Sequence, residues 1–386
     1  MASSTGRRTG EYVRQPAGYR AFIPTALSLT PPVKLEGRLA ALLSKADTEL
    51  GRLDGCSEAL PNPDLFVAMY VNKEAVLSSR IEGTQSSLTD VLKYQAEVAR
   101  KPGSPSDVGE VVNYVSALNY GLIRLNELPL SLRLLREIHA KLLHDVRGSE
   151  RGPGEFRRSQ NWLGPAGSTI ANAAFVPPPP GEMNEAMWNL EKFIHQAEPS
   201  VMPVLIACAL VHSQFETIHP FLDGNGRMGR LLITLMLCWR GVLRRPLLYL
   251  SLFFAKRRSE YYDRLQAVRD KGDWEGWLEF FLEGVAEVAA DARRKATRIL
   301  ELRERNRTRL VSELGGSASL LRLQDYMYEN PFLSLRRASR DLGLAYSTVN
   351  NLVSVLQSAG VVEETTGQRR NRVFCYTEYV NLLEED

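Results

Sequence analysis

Residues 218–236 read IHPFLDGNGRMGRLLITLM. Twelve of them, from His219 to Arg230, hold a histidine, Asp223, two glycines flanking Asn225, and two arginines, directly before an apolar helical run. A helix opening near Arg227 would present unpaired backbone N–H groups and the positive end of its dipole to an anion. Gly224 and Gly226 allow the backbone to come close to a phosphate. Asn225 can donate through its amide. Arg227 and Arg230, three apart, share one side of the helix start and can neutralise phosphate oxygens.

The remaining residues of the stretch suit the same task. One carboxylate beside a phosphate cradle fits magnesium, which takes one or two protein carboxylates and fills its shell with phosphate and water; Asp223 is that candidate. His219 is the group here able to act as a general base near neutral pH. Phe221 alternates with the polar residues, so its ring is expected to point inward and anchor the loop. Taken singly, DGNG is a turn and the arginines a solvated face, and His212, seven residues upstream, reads as a satisfied core histidine. The joint spacing favours a phosphate site. No GxxxxGK[ST], HExxH or GxSxG is present to compete with it.

The composition is that of a globular protein. In 386 residues, 44% are hydrophobic and 24% charged, and the net charge of +3 announces neither a nucleic-acid nor a membrane partner. Cys56, Cys208, Cys238 and Cys375 are far apart, with no CxxC pair, which fits a reducing compartment. The polar opening has no apolar signal region, and LLITLML at 231–237 is far short of a spanning helix. A cytoplasmic location is the resulting expectation.

Along the chain the fold is expected to be mainly α, beginning with a helical region over 1–108. Residues 1–35 read as an extended arm. Leu35, Leu39, Leu42, Leu43 and Ala46 then recur at helix spacing. A second helix is expected over Leu65 to Glu82, stopped by Gly83, and a third near Ser87, where SLTD resembles a capping box. A polar break at 101–108 precedes a helical catalytic core over 109–290. Within that core, a Gly- and Pro-rich stretch carries a strand pair near 161–176 and stops at Pro177–Pro180. Residues 291–312 read as an exposed connecting helix. The last part, 313–386, reads as three helices and a two-stranded hairpin, the outline of a winged helix.

HPFLDGNGRMGR resembles the HxFx[D/E]GNGRxxR motif of Fic-domain proteins at every defining position. The resemblance implies transfer of AMP from ATP to a hydroxyl side chain of a protein. His219 would deprotonate that hydroxyl and Asp223 would hold magnesium at the α- and β-phosphates. Gly224, Asn225 and Gly226 would form an anion hole, with Arg227 and Arg230 on the outer phosphates. NWLGPAGSTIANAAFVPPPP is similar to the family's flap, a hairpin that aligns the target's backbone. Most of residues 10–285 share the likeness, and the tail fits members that end in a winged helix.

Ser78, Glu82 and Gly83 match the family's [S/T]xxxE[G/N] inhibitory pattern, ahead of the core. A carboxylate at a helix C-terminus opposes the dipole by roughly 0.3–1 kcal/mol, so an arginine partner is expected, and the resemblance names Arg230. Glu82 is therefore counted among the ATP-site residues as well. The partner implied is a target protein presenting Ser, Thr or Tyr, itself included, and a homodimer is a further possibility. Two alternatives stand beside this reading: removal of AMP by the same site, and a regulator acting through the winged helix. Residues 313–386 hold seven arginines, no lysine and ten acids, net charge −3, so nucleic-acid binding there would be weak and rest on Arg369, Arg370 and Arg372.

Overall fold

The structure, a computed structural model, describes residues 8–27, 33–59, 63–95, 106–165, 167–197, 201–368 and 372–385. The expected break at 101–108 lies mostly outside these residues, as do Arg369 and Arg370.

The arm is more ordered than its composition suggests. Strands β1 (Gly10–Arg14) and β2 (Arg20–Pro24) pair antiparallel from Gly10↔Pro24 to Arg14↔Arg20. Phe22 N–H then donates to the Val176 carbonyl, which ties this hairpin to the body.

Helices α1 (Gly37–Ala59), α2 (Pro63–Ile81) and α3 (Leu88–Gln95) follow. The apolar face of α1 buries Leu39, Ala46, Leu50 and Leu53, while Leu35 lies ahead of the helix and is exposed. The capping box at α3 is present: Ser87 N–H donates to Asp90 Oδ2 at 3.0 Å and Asp90 N–H to Ser87 Oγ at 3.1 Å. Such a cap stabilises a helix by about 1 kcal/mol.

Helices α4 (Ser106–Arg124) and α5 (Leu132–Leu142) lead to the Gly/Pro-rich stretch, then α6 (Pro180–Gln196), α7 (Val204–Ile218) and α8 (Asn225–Trp239). Every described residue of α7 from Leu205 to Ile218 is buried. A helix buried on every side belongs at the centre of a core, even with the polar residues His212, Ser213, Gln214, Glu216 and Thr217 in its second half, and α7 with α8 forms that centre. Among its described residues, the stretch at 161–176 has a single bridge, Leu163↔Phe175, where a strand pair was expected. Its tip instead folds on itself: Trp162 Nε1 donates to the Ser168 carbonyl and Thr169 N–H to Asn172 Oδ1. Pro165 offers no N–H to a ladder, and Asn172 competes for its neighbours' backbone.

Helices α9 (Leu250–Lys256), α10 (Arg258–Lys271) and α11 (Trp274–Leu314) complete the body. The expected join at 290/291 falls inside α11, whose apolar face continues through Ala292, Ala296, Ile299 and Leu302.

The tail holds α12 (Ala318–Glu329), β3 (Phe332–Ser334), α13 (Leu335–Leu342), α14 (Tyr346–Ser358), β4 (Glu363–Glu364), β5 (Val373–Cys375) and α15 (Thr377–Glu384). The sheet order is β3-β5-β4. The three helices and the hairpin were expected; β3 and α15 were not. Helix α15 ties the tail to α2, because Lys73 Nζ donates to the carbonyls of Leu383 (2.7 Å) and Glu385 (2.8 Å). Among the described residues, no helix is long and apolar enough to cross a membrane.

Candidate active site

Helix α7 ends at His219 in the left-handed conformation (φ 50°), a turn usually given to glycine and costing a β-carbon residue about 1–2 kcal/mol. Arg157 offsets that cost. Its guanidinium, 2% exposed, donates to the carbonyls of His219 (2.9 Å) and Ile218 (3.3 Å), at the negative end of α7. Asn161 Nδ2 donates to the His219 and Phe221 carbonyls as well. The imidazole is therefore held by its backbone, with buried Nδ1 lacking a hydrogen-bond partner. Burial, reinforced by the Arg157 and Arg269 charges, pushes its pKa down to about 3, so the ring is neutral at pH 7.

The loop turns on two internal clamps. Asn225 Oδ1 accepts from Phe221 N–H at 2.9 Å and its Nδ2 donates to the Phe221 carbonyl at 2.8 Å. The side-chain amide read as a phosphate donor thus shapes the loop through its Oδ1 and one of its two N–H groups. Phe221 is fully buried and stacks on His139 with ring centroids 3.7 Å apart, as an anchor should. His139 accepts from Gly154 N–H through Nδ1 and reaches the Asp223 carbonyl through Nε2 at 3.0 Å. Burial pushes its pKa down to about 4. His212 is a core residue as read, between the Gly229 carbonyl and the Tyr261 hydroxyl.

Gly224 enters α8 with φ 74°. Asp223 Oδ1 accepts from Gly224 N–H at 2.6 Å, and its other oxygen faces Gly148, where a β-carbon would lie 2.8 Å from Oδ2. Among the described residues no three His, Cys, Asp or Glu side chains converge. A metal here would take Asp223 from the protein and its other ligands from phosphate and water, a donor set that suits magnesium.

The two arginines differ in their partners. Arg230, 2% exposed, donates from Nε to Ser78 Oγ (2.8 Å) and from Nη2 to the Ser78 carbonyl (2.9 Å) and Glu82 Oε1 (2.7 Å). Glu82 follows the end of α2, with Gly83 at φ 98°. Its carboxylate lies over the start of α8: a β-carbon on Gly226 would be 2.2 Å from Oε1. Burial raises the Glu82 pKa, but the charge and hydrogen bond of Arg230 outweigh it, and the net direction is down. Arg227 is paired elsewhere, with Glu110 Oε2 at 2.9 Å, both side chains 1% exposed.

Sequence reading missed Glu110, His139, Arg157, Asn161 and Arg269. Arg269 stands over the Phe175 ring, 3.9 Å from its centroid, and donates to Thr217 Oγ1, joining the flap's root to α7. Each is a polar residue distant in sequence from the loop, and no local pattern marks it. Arg157 and Asn161 lie in the run RGPGEFRRSQNWL at 151–163, whose density of polar groups was the available signal.

Residues 40–123 match the Fic/DOC family N-terminal pattern and residues 129–237 the Fic/DOC family pattern, together half of the chain. The chain belongs to the Fic/DOC family. It is 29% identical over 259 residues to the protein adenylyltransferase Fic of Culex quinquefasciatus, covering 64% of this chain and 48% of that protein. With the protein of the same name from Aedes aegypti the identity is 30% over 244 residues, 60% of this chain and 45% of that one. The chain thus spans about half the length of these relatives. A Fic family protein from Desulfovibrio desulfuricans G20 has the same fold, with a TM-score of 0.59 and 22% identity over 89% of this chain and 97% of that one.

Proposed function

We propose that this protein is an ATP-dependent adenylyltransferase that moves AMP onto a hydroxyl side chain of a protein and is held back by Glu82. The observation that carries the reading is the position of the Glu82 carboxylate. It lies at the start of α8 and on Arg230, where an anion is favoured by both the helix dipole and the guanidinium. A carboxylate there stands in for a phosphate group.

In the reaction, neutral His219 takes the proton from the target hydroxyl. The oxygen attacks the α-phosphorus, the bond to the β-phosphate oxygen breaks, and pyrophosphate leaves. Arg230, once released, holds the outer phosphates so that the α-phosphate lies in line; such transfers depend mainly on positioning and charge. Magnesium, held by Asp223, would supply charge neutralisation at the phosphates. The flap between Leu163 and Phe175 lies beside His219 through Asn161 and Arg269, and aligns the target's backbone.

The tail is proposed as a winged-helix interaction module, of the homodimer or another partner, rather than a nucleic-acid reader. Helix α14 has no basic residue, and Arg372 is engaged with Asn350 and the Phe374 ring. A cytoplasmic location fits the four unpaired cysteines.

Incubation with ATP labelled at the α-phosphate, with magnesium and a protein mixture, tests the reading. Label should transfer to protein, and His219→Ala should abolish transfer by about 10²–10⁴-fold while leaving nucleotide binding in place. Transfer by the mutant at the wild-type rate would contradict the role of His219. Loss of the AMP label from modified protein, without transfer, would favour removal of AMP instead.

A further inference from the structure

Glu110 projects from α4 into the base of the site, and three segments meet on its carboxylate. Oε2 accepts from Arg227 Nη1 at 2.9 Å, Arg147 Nε lies 3.2 Å from Oε1, and Thr84 Oγ1, just past the Glu82–Gly83 turn, is 3.5 Å from Oε2. The carboxylate is 1% exposed. Stability alone is a poor reason to keep such a pair, because desolvating two charges roughly cancels their attraction, and apolar residues of similar size do as well.

The other edge of Arg227 supplies a better reason. Its Nη2 is 3.8 Å from Asp223 Oδ1, and its buried Nε has no hydrogen-bond partner. The Nη2 contact is a long ion pair with no hydrogen bond; if nothing held Nη1, the guanidinium would shorten it to a direct hydrogen bond with Asp223, one turn away on the loop. That collapse would occupy both the arginine meant for phosphate and the carboxylate suited to the metal. With Glu110 in place, Arg227 is anchored by one edge, and its Nε and Nη2 stay outside any short hydrogen bond to the protein, a preorganised donor.

We propose that Glu110 is a positioning residue of the nucleotide site, acting through Arg227 by keeping that arginine from closing its long ion pair with Asp223 into a hydrogen bond. The proposal rests on the reading that Arg227 and Asp223 serve bound ATP and magnesium. It gives the start of α4 a part in the site that no motif assigns to it.

The test uses the full chain carrying Glu82→Gly as the parent, so that inhibition does not mask the effect. Glu110→Gln should raise the KM for ATP and the calorimetric Kd for Mg·ATP by about tenfold or more, the scale of one charge-assisted hydrogen bond. With Arg227→Ala already present, Glu110→Gln should cost less than a further twofold, because the residue it acts through is gone. Glu110→Asp, which keeps the charge but withdraws it by one methylene, should shift KM in the same direction at an unchanged melting temperature. It carries the test should Glu110→Gln fail to fold. A purely structural role would lower the melting temperature and leave KM and Kd unmoved in the folded protein. KM and Kd within twofold of the parent, or losses that multiply with Arg227→Ala, would overturn the proposal. A parent that binds Mg·ATP but transfers no AMP would instead overturn the transfer reading, leaving the binding comparison to judge Glu110.

Discussion

Arg230 and Glu82 are joined by a 2.7 Å salt bridge between α8 and the end of α2, residues 148 positions apart in the chain. Ser78, one turn earlier on α2, takes the guanidinium's other edge through both its hydroxyl and its carbonyl. The arginine is buried and the glutamate keeps 31% of its side chain exposed, so the acid is the partner more easily withdrawn. That asymmetry fits a releasable brake better than a structural pair.

Activity should persist well into the acid range. His219 has its pKa pushed down to about 3, first by burial and then by Arg157 and Arg269, while the Glu82 charge raises it. Below the ordinary histidine value of about 6.5, a solvated base would protonate and fail; this one stays neutral. In the Glu82→Gly protein the raising influence is gone, so protonation shifts further down. The pH dependence of kcat should show no acid limb near pH 6.5, and an inflection there would contradict the burial of the ring.

Gly148→Ala should impair catalysis without touching a motif residue. Gly148 has φ 88°, and a β-carbon would lie 2.8 Å from Asp223 Oδ2. The substitution is strained by its backbone and pushes the carboxylate aside. A loss of about tenfold in kcat/KM, corresponding to some 1.4 kcal/mol, should be largest at low magnesium. Equal activity at all magnesium concentrations would show that Asp223 tolerates the displacement.

Much of the site was legible because its residues are consecutive. A helix start, its glycines and its flanking charges must be contiguous to act together, so the HPFLDGNGRMGR run announced them. Glu82 was found through the resemblance of Ser78, Glu82 and Gly83 to the family's inhibitory pattern, and its helix-end position, where an acid opposes the dipole, pointed only to a cationic partner. The part of Asn225 in shaping the loop was not legible, because a side-chain amide serves a loop's own backbone and a ligand equally well, and sequence does not separate the two. Glu110, His139 and Arg157 were not visible because their partners lie 117, 84 and 62 residues away. In the fold, helix periodicity gave the elements, whereas the β1–β2 hairpin and α15 depend on docking against distant surfaces.

The tail should not behave as a detachable module. Lys73, on the same helix as Ser78, donates to two carbonyls at the end of α15, and Lys295 Nζ donates to one of them, Glu385, at 2.6 Å. Lys73→Met removes charge-assisted bonds of about 1.5–3 kcal/mol. The expected result is a melting temperature lower by several degrees and faster proteolytic loss of the C-terminal helix. An unchanged melting curve would show that the tail's attachment lies elsewhere.

On the proposed reading, Glu82 restrains AMP transfer by holding Arg230. Its most direct test is mass spectrometry of the Glu82→Gly protein, alone and with candidate targets, after incubation with ATP and magnesium. The account predicts an added AMP on a hydroxyl side chain, formed about tenfold or more faster than with wild type, since each 1.4 kcal/mol is a factor of ten. Arg230→Ala added to Glu82→Gly should remove that gain, because the arginine is what the first substitution releases. A Glu82→Gly protein no more active than wild type toward itself or any target would contradict the account and return Glu82 to the rank of a structural ion pair.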